Sequence, residues 1–169
     1  PNCILAIMNE PNHKGKIFFV DTTLRDGELS LWASNMTTGM MLPIAERLDQ
    51  VGFEAIEVMS SAFYKKCVRD LKDDPWERVR FLAKRIKKTR LRHHGGMHSA
   101  FEKTPHALLK LLVERLVSYG ITLTRTSNCW NDYSAFKEEI EDLKKNGMDT
   151  VANLIYSVSP RHTDEYYAQ

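Results

Sequence analysis

The sequence predicts an α/β fold in which a parallel sheet is covered by helices. Short β-branched and aromatic runs alternate with apolar residues at helical spacing. Strand and helix follow each other about five times, which argues for parallel strands joined by outer helices. The strands start roughly thirty to thirty-five residues apart. A (β/α)8 barrel of roughly 250 residues has that repeat. An open doubly wound sheet of five strands has it too, and suits a length of 169 residues better. Periodicity leaves both open.

Ile17-Phe18-Phe19-Val20 reads as a buried first strand. Met41, Ile44, Ala45, Leu48 and Val51 recur at helical spacing, with Pro43 in the first turn and Gly52 closing the helix. Residues 54–59 form the second strand. Asp74-Pro75-Trp76-Glu77 is a helix start: Asp74 caps, Pro75 takes the first helical position, and Glu77 can reach back. Val79, Leu82 and Ile86 give that helix its apolar face. The third strand, near Thr89 to His94, carries unusual Arg and His content. Thr104-Pro105 opens a helix with Leu108, Leu111, Leu112 and Leu116 inward, ending at Gly120. Ile121 to Thr126 is the fourth strand. Asn131-Asp132 caps a helix marked by Phe136, Ile140 and Leu143 and ended by Gly147. Val151 to Val158 is the fifth strand, and Thr163 begins a last helix.

Hydrophobic residues make up 43%, enough for a packed core, and no eighteen-residue apolar stretch spans a membrane. The apolar start lacks a basic leader and a cleavage pattern, so no signal peptide is expected. The three cysteines, Cys3, Cys67 and Cys129, form no C-x-x-C pair. They fit a reducing, cytoplasmic setting, with Cys67 and Cys129 as small apolar fillers. The net charge of +2 hides a basic stretch: residues 65–94 hold twelve Lys and Arg against four Asp and Glu. No nucleic-acid motif accompanies it, so it reads as the solvated face of a helix and its flanks.

In either architecture, chemistry sits at the carboxyl ends of the strands. There the chain reads Asp21-Thr22-Thr23-Leu24-Arg25-Asp26-Gly27-Glu28. Charges this dense beside an apolar strand must be paired or metal-bound. The carboxylates suit Mn²⁺ or Mg²⁺, and Zn²⁺ at the borderline. An Arg25 ion pair that merely pins the loop explains the segment equally well.

Residues 20–28 resemble the first-strand signature of a metal-dependent TIM-barrel superfamily. It includes the carboxyltransferases of pyruvate carboxylase and oxaloacetate decarboxylase, hydroxymethylglutaryl-CoA lyase and isopropylmalate synthase. Ser30-Leu31-Trp32-Ala33, Met36-Thr37-Thr38, residues 41–46, Asp74-Pro75-Trp76-Glu77-Arg78 and Tyr156-Ser157-Val158-Ser159-Pro160 resemble the biotin-dependent carboxyltransferase branch. His162-Thr163 and Glu165-Tyr166-Tyr167 continue the likeness, which runs from about Lys16 to the last residue. The resemblance implies a TIM (β/α)8-type barrel, truncated after about five βα units. Residues 1–15 would be a lead-in and 16–169 the partial barrel domain.

The resemblance also implies a chemistry. A carboxyl group carried on biotin would be exchanged with the methyl carbon of a small 2-oxo acid through an enolate. A divalent metal ion (Mn, Zn or Mg) would act as Lewis acid. Asp26 would be a metal ligand, Arg25 would stabilise the enolate, and Arg25, Leu29 and His94 would line the substrate pocket. A carbamylated lysine and a His-x-His pair on later strands would complete the metal site. The chain is therefore expected to belong to a longer protein, or to need a homo-oligomeric or other barrel-completing chain. A biotin carboxyl carrier domain or subunit is the implied partner.

Several positions depart from the family pattern. Leu29 replaces a substrate-contacting glutamine, and Ala33-Ser34-Asn35 replaces Ala-Thr-Arg. His94 stands where an arginine would bind the 2-oxo acid. Ser127-Asn128 replaces Phe-Asp, and Ser60-Ser61 replaces Gly-Gly. These changes put pyruvate itself in question: a different acid, a different acyl acceptor or a lapsed activity would each explain them. Two alternatives remain: a carbon–carbon lyase or aldolase without biotin, and a degenerate non-catalytic paralogue. Among other tempting residues, His93 and His94 face opposite sides of a strand and cannot share a metal with His98. Tyr166 and Tyr167 read as packing residues.

Overall fold

The computed structural model describes residues 17–95, 104–127, 131 and 133–168. Five parallel strands run in the order β1-β2-β3-β4-β5. They are β1 (Val20–Asp21), β2 (Ala55–Ser60), β3 (Arg90–His94), β4 (Ile121–Ser127) and β5 (Asp149–Asn153). This sequential order decides the architecture. A doubly wound sheet reverses direction at a switch point, whereas a barrel adds each strand beside the last. The chain forms five consecutive βα units of a (β/α)8 barrel.

The helices are α1 (Glu28–Trp32), α2 (Thr38–Gln50), α3 (Phe63–Lys66), α4 (Pro75–Arg85), α5 (His106–Ser118), α6 (Tyr133–Lys145) and α7 (Asp164–Ala168). The core lies between strands and helices. Met41 and Ala45 of α2, Val79 and Leu82 of α4, and Val113 and Leu116 of α5 are buried against Ile56, Leu91 and Ile121. Burying each large apolar side chain contributes on the order of 1.5–3 kcal/mol.

Two buried polar joints tie the layers together. Asp49 of α2 accepts from the backbone N–H groups of Lys87, Lys88 and Thr89. Burial alone would raise its pKa, but these donors hold it below the usual carboxylate range. Arg78 of α4 is fully buried over the Phe63 ring. Its guanidinium donates to Thr38 Oγ1 at 3.0 Å, the Met36 carbonyl at 2.9 Å and Asp73 at 3.2 Å. The basic stretch is thus not simply a solvated face, because Arg78 and Arg92 are interior.

Other expectations change at the edges. The first strand is two residues long and starts at Val20, with Ile17 77% and Phe19 67% exposed. Among the described residues it pairs with β2 alone. The fifth strand is Asp149–Asn153, in register with Leu123 to Ser127 of β4. Pairing ends with β4, so residues 154–158 continue without a strand neighbour among the described residues. In α5 the inward face is Leu109, Val113 and Leu116, while Leu108 and Leu111 are exposed. Apolar residues surround this helix on several sides, so spacing alone admits two faces. Helix α2 starts at Thr38 because Asp73 accepts from the Thr38 N–H at 2.8 Å. Pro43 therefore lies inside the helix rather than in its first turn.

Asp74 does cap α4, accepting from the Trp76 N–H at 2.8 Å. Glu77 faces Arg80 at 3.5 Å instead of reaching back. Asn131 is no cap: its amide pairs with both backbone groups of Ile155, at 2.9 Å each. It holds a positive φ of 52°. Cys67 is buried as expected, and burial pushes its thiol up. Tyr167 packs against Tyr156, and its hydroxyl lies between the Ser157 and Ile155 carbonyls. Cys3, His98, Asn128, Cys129 and Asp132 lie outside the described residues, as does the 1–15 lead-in.

Candidate active site

The strand ends shape a cleft of about 510 Å³, lined by Arg25, Glu28, Leu29, Ser60, Ser61, Lys66 and His94 among others. Its floor comes from the turn after β1. The Thr22 carbonyl accepts three successive N–H groups, from Arg25, Asp26 and Gly27, at 2.8–3.1 Å. This wide turn, Thr23–Gly27, lifts Arg25 off the strand and runs into α1.

Arg25 then meets a carboxylate that local sequence does not single out. Glu57 of β2 is fully buried. Its Oε1 accepts from Arg25 Nε at 2.5 Å and also pairs with Arg25 Nη2. Its Oε2 accepts from Arg92 Nε and Nη2 of β3, both at 2.8 Å. Arg125 of β4 places Nε 3.9 Å from the same oxygen. Adjacent strands thus direct guanidinium groups onto one buried carboxylate, and cationic charge exceeds anionic at the cluster. The β2–β3 register shifts between Glu57 and Met59, beside this cluster. A signal existed in the sequence. Each of Glu57, Arg92 and Arg125 is a charged residue inside a strand, where burial demands a partner.

The anticipated residues divide. Arg25, Leu29 and His94 line the cleft. Ser60, Ser61 and Ser127 line it as well, whereas Asn35 is exposed. The Asp26 side chain is 51% exposed and pairs with Arg25 Nη1 at 2.7 Å. Glu28 is buried, and burial pushes its carboxyl up against the opposing Met36 N–H and the Arg78 and Lys66 charges. The αL residues Ala33 and Ser34, at φ 51° and 59°, end α1 beside the cleft.

A metal fits these residues poorly by themselves. Among the described residues no group of three or more His, Cys, Asp or Glu is arranged to hold an ion. Asp26 offers one carboxylate, already engaged by Arg25, where Zn²⁺ needs about four ligands and Mg²⁺ about six.

His93 and His94 point to opposite faces, as β3 requires. His93 is fully buried near the Tyr64 ring, with centroids 6.1 Å apart, and its Nε2 has no hydrogen-bond partner among the described residues. Burial holds its pKa down at about 3. His94 lies beside the arginines, and burial followed by the Arg125 and Arg25 charges holds it down at about 4. His93 sets a pH dependence. Unfolded histidine titrates near 6.5, so below that pH the unfolded state binds the extra proton. The stability contributed by neutral His93 is complete above pH 6.5. It is lost as pH falls towards 3, at up to about 1.4 kcal/mol per pH unit. Thermal melts from pH 7.5 to 4.5 should show a steeper decline for the natural protein than for His93→Met. Parallel declines would refute this.

No family model matches the chain. Relatives do. The chain is 38% identical over 152 residues to a pyruvate carboxylase subunit of Methanocaldococcus jannaschii, covering 89% of this chain and 27% of that protein. It is 35% identical over 150 residues to the 2-oxoglutarate carboxylase large subunit of Hydrogenobacter thermophilus, covering 88% and 23%. The carboxyl transferase domain of Rhizobium etli pyruvate carboxylase, solved with pyruvate and biocytin, superposes with a TM-score of 0.81 at 24% identity. That match covers 90% of this chain and 27% of the solved one. The chain spans about a quarter of the length of these relatives. By sequence the chain is homologous to about a quarter of these carboxylase subunits, and its fold is that of part of the Rhizobium etli carboxyl transferase domain.

Proposed function

We propose that the protein containing this chain transfers a carboxyl group between biotin and a small 2-oxo acid. The observation that carries the reading is the excess of guanidinium charge at the strand ends, opening through Arg25 onto the cleft. An enolate bears its charge on an oxygen, and a preorganised guanidinium beside that oxygen lowers the barrier. Arg25 fills this role, with Glu57 fixing its plane. His94 and Leu29 form part of the acid's pocket. Leu29 offers an alkyl surface where the resemblance expects an amide, which favours an acid other than pyruvate.

The balance of the reaction is simple. The carboxyl leaves the biotin nitrogen and bonds to the carbon next to the keto group, and that carbon's proton passes to the biotin nitrogen. A biotin carboxyl carrier domain or subunit is the proposed partner, with further chain, in cis or from another subunit, completing the barrel. Asp26 is proposed as one ligand of a divalent ion, which would supply Lewis acidity when bound. Among the described residues no group of three or more His, Cys, Asp or Glu is arranged to complete such a site. A cytoplasmic setting belongs to the same proposal. No described helix is long and apolar enough to cross a membrane.

The test uses the full natural protein with its biotin carrier, charged with labelled carboxyl groups and offered pyruvate, 2-oxoglutarate and longer 2-oxo acids. Label should appear in one acid, with release strictly dependent on biotin. Cleavage of a carbon–carbon bond without biotin would establish the lyase reading instead. No turnover with any acid, in a protein that folds, would establish a non-catalytic paralogue.

A further inference from the structure

His94 stands where the resemblance expects an arginine, and an arginine stands directly behind it. Arg125 Nε approaches His94 Nδ1 at 3.0 Å, and Nη2 of the same guanidinium meets the same nitrogen. A guanidinium has N–H donors and no acceptor. His94 Nδ1 must therefore be the acceptor and carry no proton. The ring's proton then lies on Nε2. Nδ1 faces the cluster, 3.7 Å from Glu57 Oε1, while the imidazole lines the cleft. The polar edge left for a ligand is the Nε2–H.

We propose that Arg125 is a positioning residue that locks His94 in the neutral Nε2–H tautomer, and that this N–H donates to an oxygen of an anionic 2-oxo acid. The groups facing the ring are Arg125, Arg25, Arg92 and Glu57. Their net cationic charge opposes a second proton on the imidazole, in keeping with its depressed pKa. The missing guanidinium is thus not simply lost. The neighbouring strand supplies the charge at one remove, and His94 passes on a neutral, directional donor. Charge complementarity for a carboxylate is kept, while the contact itself loses the bidentate fork.

The ligand half of this proposal rests on the function proposed above, and the tautomer half does not. The test therefore begins without ligand. The full natural protein is labelled with ¹⁵N-histidine, and His94 is assigned by its absence from the spectrum of His94→Gln. At pH 7, Nδ1 should resonate as an unprotonated nitrogen and Nε2 as a protonated one. In Arg125→Met the two resonances should move towards each other as the tautomers mix. Arg125→Lys, whose ammonium also only donates, should restore the original pattern even if it binds less tightly. In turnover, Arg125→Met should raise KM for the acid about tenfold with a smaller change in kcat. It should add little once His94 is already alanine. A protonated Nδ1 in the natural protein would overturn the proposal, as would ring shifts unmoved by Arg125→Met. If no acid turns over while the tautomer pattern holds, the functional reading fails and the lock stands.

Discussion

Replacing Glu57 with alanine is expected to destabilise the chain by about 3–5 kcal/mol, the range seen when one partner of a buried ion pair is removed. Glu57 is fully buried, and the Arg25 and Arg92 side chains are only 11% and 9% exposed. With the carboxylate gone, the interior Arg92 loses its counter-charge, Arg25 keeps only Asp26, and Arg125 loses its nearby carboxylate. Domains of this size are stable by only about 5–15 kcal/mol, so the loss consumes a large share. Glu57→Gln should also be poorly tolerated. Its amide keeps one acceptor but turns N–H donors towards guanidinium donors. Urea denaturation of the full natural protein should show a lower midpoint with little change in slope. A shift worth less than about 1 kcal/mol would mean that the arginines find other partners or water.

Arg25→Lys is expected to lower kcat for carboxyl transfer by about 10²–10³, the usual cost of an oxyanion donor. Its effect on stability should be smaller than that of Glu57→Ala. Arg25 spans two carboxylates at once: Nε and Nη2 serve Glu57 and Nη1 serves Asp26. Each terminal nitrogen carries a second N–H, which leaves the guanidinium donor capacity for a ligand. A lysine ammonium is a single point charge on a flexible stem and cannot bridge both carboxylates in a fixed plane. Lysine keeps the net charge, so this substitution separates geometry from electrostatics. Measured on the full natural protein, kcat should fall more than KM rises, because the contact strengthens only as the oxyanion develops. Retained kcat would remove Arg25 from the enolate role and leave it as the loop-pinning ion pair.

The sequence by itself determined the alternation of strand and helix, the helix start at Asp74-Pro75 and the crowding of charge after β1. These are local: a period, a cap or a turn is written in residues a few positions apart. The resemblance read from the sequence also marked Arg25 and His94 as lining residues, and both line the cleft. Only the tertiary structure decided what those residues touch. Strand order separated the barrel from the doubly wound sheet, since both share one period and differ in which strands pair. Ile17 and Phe19 precede the two-residue β1 and are exposed among the described residues, in a run that local sequence reads as a buried strand. Glu57 and Arg92 lie 35 residues apart in the chain and 2.8 Å apart in space. Arg125 on β4 reaches His94 on β3 from 31 residues further along the chain. Parallel pairing brings such residues together because each βα unit returns the chain to the same end of the sheet. Electrostatic partners there depend on register, which local sequence does not encode.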